Sequence, residues 1–202
     1  MQAARGTSLS PGDSSLSTTA PSSSRARFVA LFAGVAALLY AVDQVTKALA
    51  VERLTGAADK EVFGELLQLH LTRNSGAAFS TGAGYTEVLS CLAIVAALVV
   101  LWLARRVGSA LWAVALGLLL AGIAGNLTDR IARQPGPLRG EVVDFLMLPN
   151  WPVFNVADMC INVAAALILV QAFRGVGIDG SRHRDDREPK SGPESGAEVT
   201  GS

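Results

Sequence analysis

Metal and nucleophile chemistry have little to work with in this sequence. It holds two cysteines, Cys91 and Cys160, without a CxxC pair, and two histidines, His70 and His183, with no ligand partner at useful spacing. No metalloprotease ligand set can be assembled from them, and the cysteines read as small buried hydrophobes inside apolar runs. Ser75 and Ser80 have no positioned histidine and no GxSxG string exists, so a serine-nucleophile system is missing as well. Charge is scarce: Asp, Glu, Lys and Arg make up 17% of the chain and sum to a formal net charge of zero. Recognition of a phosphate backbone needs a basic surface, so no nucleic-acid partner is expected.

What the chain has in quantity is apolar sequence. Half of its 202 residues are hydrophobic and its mean hydropathy is +0.40, which is too apolar for an ordinary soluble domain. Residues 1–24 are mostly Ser, Thr, Gly, Pro and Ala, with Arg5 and Asp13 as the only charges, and predict a disordered cytoplasmic leader. No short apolar stretch with a cleavage site follows, so a cleaved signal peptide is not expected. The first predicted span covers about 28–50, preceded by Arg25 and Arg27. Asp43 and Lys47 lie on one face of it, four residues apart, where they can pair or snorkel.

From Val51 to about Thr81 the texture changes, and the β element is expected at about 60–80. Leu67, Leu69 and Leu71 alternate with Gln68, His70 and Thr72, the period of a half-buried strand. The strand runs into RNSGAAFS, where Asn74, Ser75 and Gly76 permit a turn and Arg73 and Asn74 offer donors. Further spans are predicted at about 88–104, 107–127 and 153–173. Arg105 and Arg106 in the short second join place that turn in the cytoplasm, with Trp102 and Trp112 at interfacial positions beside it. Gly117, Gly122 and Gly125 in the third run favour close approach of helices. Residues 175–202 read as a disordered cytoplasmic tail. The fold class is thus an all-α polytopic membrane protein of four spans, with both termini cytoplasmic, a small extracytoplasmic β element and a core domain over 25–174. That topology leaves Arg53, Arg73, Arg130, Arg133 and Arg139 on the outer side, against the usual bias.

Three carboxylates stand at the edges of the last two spans. Asp129 lies in AGIAGNLTDRI, Asp144 in the connector string EVVDF, and Asp158 in VFNVADM. An ionisable group at such a depth is costly unless paired or hydrated, so function is the default reading. Asn126, Asp129 and Arg130 share one side of a helix, Asn155 and Asp158 are an i,i+3 pair, and Val142 and Val143 favour an extended backbone before Asp144. If the last two spans meet on the outer face, Asp144 can pair with Asp158. Two carboxylates sharing one proton can activate a water and polarise a peptide carbonyl. The same groups also suit a proton or ion relay, or structural pairing of aspartate with arginine, so the residues alone leave three classes open, with the hydrolase ahead of transporter and scaffold.

The motifs narrow this. DQVTK (43–47), NSGAAF (74–79), GNLTDR (125–130), VVDF (142–145) and FNVAD (154–158), in this order, closely resemble bacterial lipoprotein signal peptidase, also called signal peptidase II. The resemblance covers about 28–173. It implies an inner-membrane aspartyl endopeptidase that removes signal peptides from diacylglyceryl-modified prolipoproteins, cutting before the lipidated cysteine near the extracytoplasmic face. By motif position Asp144 and Asp158 are the catalytic pair. Asp129 then supports Arg130, which contacts substrate, while Asn74, Asn126 and Asn155 bond substrate or steady the pair. Asp43 and Lys47 brace the fold, and Gly122 belongs to the supporting set. The resemblance also implies membrane lipids as partners, the antibiotic globomycin as an inhibitor, no cofactor or metal, and a monomer.

Overall fold

A computed structural model describes residues 23–76 and 85–182. Its elements run α1 (Ser23–Leu54), β1 (Lys60–Phe63), β2 (Leu67–Asn74), α2 (Thr86–Ala104), α3 (Ala110–Ala132), β3 (Val142–Met147) and α4 (Val156–Phe173). All four helices are long and apolar enough to cross a membrane, and the chain is a multi-pass membrane protein. Large apolar side chains such as Leu38, Leu92, Leu98 and Leu169 point outward, whereas Asp43, Lys47, Asp129 and Asn155 are buried. That inversion suits a protein whose surroundings are hydrocarbon, because a polar group gains only by facing its own kind.

α3 is the central helix, packed on α1, α2 and α4. Its small residues make this possible. A Cβ on Gly122 would stand 2.5 Å from the carbonyl oxygen of Ala157 in α4, and one on Gly125 would stand 2.5 Å from Asp43 Oδ2 in α1. Contacts that close bring polar groups of three helices within hydrogen-bonding reach of one another.

The two ends of the bundle differ. At one end Phe32, Val100, Ala104, Val107, Trp112 and Leu116 form an apolar cluster. At the other, the three strands form an antiparallel sheet in the order β1-β2-β3, with Thr72 opposite Asp144 and Asn74 opposite Val142. Ala50 and Leu54 of α1 pack there against Phe145, Leu69 and Leu71. α4 then starts sharply: the N–H groups of Phe145 and Leu146 both donate to Phe154 O, at 3.0 and 2.9 Å. Asn155 follows as the N-cap of a reciprocal capping box with Asp158.

Several expectations need correcting. The helix that carries the first span extends past 28–50 at both ends, starting at Ser23 inside the expected leader, and residues 1–22 lie outside the described residues. The β element has a third strand, because the two valines before Asp144 extend the connector alongside β2. The expected disordered tail begins too early. Residues 175–182 fold back under the α2–α3 turn, with Gly108 N donating to Ile178 O at 2.9 Å and Trp112 Nε1 to Val176 O at 3.0 Å. Trp112 is consequently core and not interfacial, while Trp102 is half exposed with the Arg106 guanidinium 4.4 Å from its ring centroid. Cys160 is buried as expected, but Cys91 faces outward from α2. His183 and the rest of the tail, like Ala77, Ala78, Phe79 and Ser80, lie outside the described residues.

Candidate active site

Asp144 stands in the middle of β3 and is 2% exposed. Its Oδ1 accepts from Asn155 Nδ2 at 2.6 Å and its Oδ2 from Asn74 Nδ2 at 3.2 Å. Asp158 is the third residue of α4. Its Oδ1 accepts from Asn126 Nδ2 at 2.9 Å and its Oδ2 from the Asn155 backbone N–H at 3.2 Å. One residue, Asn155, therefore holds both carboxylates, one through its side chain and the other through its main chain.

The orientation of the asparagines follows from partners that can only donate. Asn155 Oδ1 receives the N–H of Asp158 at 3.0 Å, so its Nδ2 must face away from the helix, towards Asp144 and, at 3.1 Å, Asn126 Oδ1. Asn126 Oδ1 also receives the Lys47 ammonium at 2.9 Å, which leaves its Nδ2 to Asp158. Behind this layer lies a buried ion cluster. Lys47 Nζ is 3.0 Å from Asp43 Oδ2 and 2.9 Å from Asp129 Oδ2, with all three side chains essentially sealed from solvent. Asp43 Oδ1 in turn accepts the N–H of Ala157 at 2.9 Å, tying α1 to the first turn of α4. Asp43 and Lys47 thus pair rather than snorkel.

Asp129 and Arg130 diverge. Asp129 binds Lys47, the Arg133 guanidinium and the Val143 N–H, so it anchors β3 and makes no ion pair with its neighbour in sequence. Arg130 turns instead to the loop after β2, donating to Gly76 O at 2.6 Å and to Ser75 O at 3.5 Å. The expectation that Asp129 holds Arg130 is replaced by one in which Asp129 belongs to the Lys47 cluster. Gly122 serves the close α3–α4 contact, facing Ala157 and Ile161. Two participants lie outside the expected set of site residues. Arg133 lies one turn beyond Asp129, a spacing that could have identified it. Gln44 spans Asp43 Oδ2 and Gly125 O at 3.0 and 3.2 Å, and nothing in its sequence position announces that.

Asp144 and Asp158 open onto a common pocket of about 390 Å³, lined also by Asn74, Asn126, Arg130 and the aromatic side of the β3–α4 connector, Trp151 and Phe154. Burial, and secondly the charge of Asp158, push the Asp144 carboxyl up to about 7, against the opposing pull of the two asparagine amides and Lys47. A carboxyl held there keeps a proton near neutrality and can give it up. The pocket thus sets a proton-retaining acid beside a second carboxylate in the first turn of α4.

Comparison with known proteins bears on this arrangement. The family model described as signal peptidase (SPase) II matches residues 35–174. A lipoprotein signal peptidase of Leifsonia xyli subsp. xyli is 45% identical over 169 residues, covering 82% of this chain and 78% of the relative. One from Mycobacterium avium is 45% identical over 172 residues, covering 84% and 94%. A solved structure described as a bacterial membrane enzyme superposes with a TM-score of 0.64 at 27% identity, covering 73% of this chain and 95% of that one.

Proposed function

This chain belongs to the signal peptidase II family, and from that premise we propose that it is an aspartic endopeptidase in which Asp144 and Asp158 are the catalytic pair. Its substrates are diacylglyceryl-modified prolipoproteins, cut on the N-terminal side of the lipidated cysteine. The observation that carries this reading is the shared pocket in which Asn155 donates to both carboxylates. The peptidase domain spans 25–174. It sits in the bacterial inner membrane with both termini cytoplasmic, so the sheet and the pocket lie at the extracytoplasmic face, and a monomer is complete because both aspartates come from one chain.

The chemistry follows from the placement. Asp158 takes a proton from a water whose oxygen attacks the scissile carbonyl carbon, while Asp144 gives its proton to the carbonyl oxygen. The resulting tetrahedral diol collapses as its C–N bond breaks, and the proton gathered by Asp158 passes to the departing amine. The carboxylic acid product leaves with the signal peptide, and the pair regains one shared proton. A buried helical peptide resists hydrolysis because its carbonyls are already bonded and water is absent. A site at the membrane edge, roofed by a sheet whose strands expose backbone groups, lets the substrate extend while two acyl chains keep it in the bilayer plane. Arg130, fixed on the Ser75 and Gly76 carbonyls, steadies the loop that borders this entry. Globomycin is expected to occupy the same pocket.

The test is cleavage of a diacylglyceryl-modified prolipoprotein by protein reconstituted in lipid. Asp144→Asn and Asp158→Asn should each lose turnover while keeping helical content and competition by globomycin. Full turnover by either variant overturns the assignment.

A further inference from the structure

A second cavity, of about 290 Å³, lies between the outer end of α1 and the sheet. Thr46, Leu49, Ala50 and Arg53 form one of its walls and follow each other at the i, i+3, i+4, i+7 spacing of a single helical stripe. Leu69 of β2 and Phe145 of β3 form the facing wall, and Lys60 of β1, paired across the sheet with Leu69, stands at its rim. We propose that this groove is a binding site for a membrane phospholipid, with the headgroup phosphate between Arg53 and Lys60 and the start of an acyl chain along the apolar stripe.

Depth, charge and chemistry each support that occupant. Arg27 and Arg53 lie about 40 Å apart along α1 at about 1.5 Å per residue, more than the ~30 Å of a hydrocarbon core. With Arg27 at one interface, Arg53 reaches headgroup level at the other. Neither Arg53 nor Lys60 has an ion pair or side-chain hydrogen bond among the described residues, and both are exposed. The nearest carboxylate in sequence to Lys60 on its N-terminal side, Asp59, is taken by His70 at 2.7 Å. No acidic residue lines the groove among the described residues. Two unpaired cations above an apolar floor match a lipid phosphate and its chain. They do not select the diacylglyceryl group of a prolipoprotein, which carries no charge. The site also accounts for Arg53, one of the basic residues that the topology leaves on the outer side. It is separate from the pocket of Asp144 but shares β3 with it, since consecutive residues of a strand face opposite ways and Asp144 lines one cavity where Phe145 lines the other.

The experiment is native mass spectrometry of the full-length protein in detergent, titrated with phosphatidylglycerol and, separately, with dioleoylglycerol. Wild type should retain one phosphatidylglycerol in preference to dioleoylglycerol. Each basic contact to an anionic headgroup contributes about fivefold, so Arg53→Gln with Lys60→Gln should weaken retention on the order of 30-fold. Arg53→Lys with Lys60→Arg should keep it, which separates lost charge from lost fold. Equal retention by the double glutamine variant, or equal retention of the two lipids by wild type, overturns the proposal. Retention needs no turnover and no particular orientation in a membrane. A catalytically dead enzyme that still selects phosphatidylglycerol supports the groove while counting against the proposed catalysis.

Discussion

Replacing Asn74 with alanine should move the basic limb of the pH–rate profile upward, and the geometry sets both sign and size. Asp144 titrates near 7 because burial and the charge of Asp158 outweigh the amide donors that favour its ionised form. Asn74 Nδ2 is one of those donors, 3.2 Å from Oδ2. Removing it destabilises the carboxylate and leaves the neutral acid little changed, so the pKa rises. A hydrogen bond to a charged group contributes about 1.5–3 kcal/mol; at this length the lower end applies, and about 1.4 kcal/mol equals one pH unit. The limb should therefore shift from about 7 to roughly one unit higher, because the proposed mechanism requires Asp144 protonated and the variant holds its proton longer. Asn74 Oδ1 also accepts the Gly76 N–H at 3.0 Å, so the alanine variant loosens the loop and its maximal rate falls. The readout is thus the position of the limb in kcat/KM, measured between pH 5 and 9 on a lipid-modified prolipoprotein in nanodiscs. A limb that stays in place, or moves down, in an active Asn74→Ala enzyme would refute the assignment of that limb to Asp144.

The same shift makes a stability prediction. Asp144 binds its proton more tightly folded than unfolded, so its favourable contribution is complete below the unfolded value of 3.8 and is lost as pH rises to about 7, a difference on the order of 4 kcal/mol. Asp144→Asn, which removes the buried charge, should raise the thermal midpoint at pH 8 and do much less at pH 4; a uniform effect would argue against a buried, repelled carboxylate. Lys47→Met strands Asp43 and Asp129 without their shared cation and should cost about 3–5 kcal/mol, read as a lower denaturation midpoint in detergent that a simultaneous Asp43→Asn partly restores. Gly122→Val forces α3 and α4 apart at the Ala157 carbonyl. Overpacking of that kind costs about 1–3 kcal/mol, and displacement of Asp158 by even about 1 Å should lower turnover on the order of 100-fold with substrate binding largely kept.

The helices were legible because span length and hydropathy act over some twenty residues and tolerate local exceptions. Their ends were not, since α1 continues beyond the hydrocarbon core to pack Ala50 and Leu54 on the sheet, and hydropathy falls to nothing there. β2 follows a period of two, but β3 carries a run of buried residues, Val142 to Phe145, and takes its partner from far upstream, with Thr72 opposite Asp144. No periodicity marks a strand whose two faces are both covered. Trp112 departs from the sequence expectation for a related reason. Flanking a charged turn, it has the composition of an interfacial anchor, yet residues 175–182 close over it and supply Val176 O to its indole, a contact made by chain that composition assigns to disorder.

For the site, residue type and i,i+3 spacing identified which groups cluster but not which touches which. Asn126, Asp129 and Arg130 occupy neighbouring positions on α3, yet about 100° per residue sends them to three different partners: Asp158, Lys47 and the Ser75–Gly76 carbonyls. The decisive constraint is Lys47, whose three-donor ammonium is shared among Asp43, Asp129 and Asn126 Oδ1. Since an ammonium cannot accept, it forces the Asn126 amide to present its N–H to Asp158. The α4 capping box does the same for Asn155 and Asp144. Two structural devices, a buried cation and a helix cap, therefore determine the polarity of the side-chain hydrogen bonds through which Asn126 and Asn155 hold the carboxylate pair. An amide that flipped would turn an acceptor towards each aspartate and raise the cost of any negative charge between them.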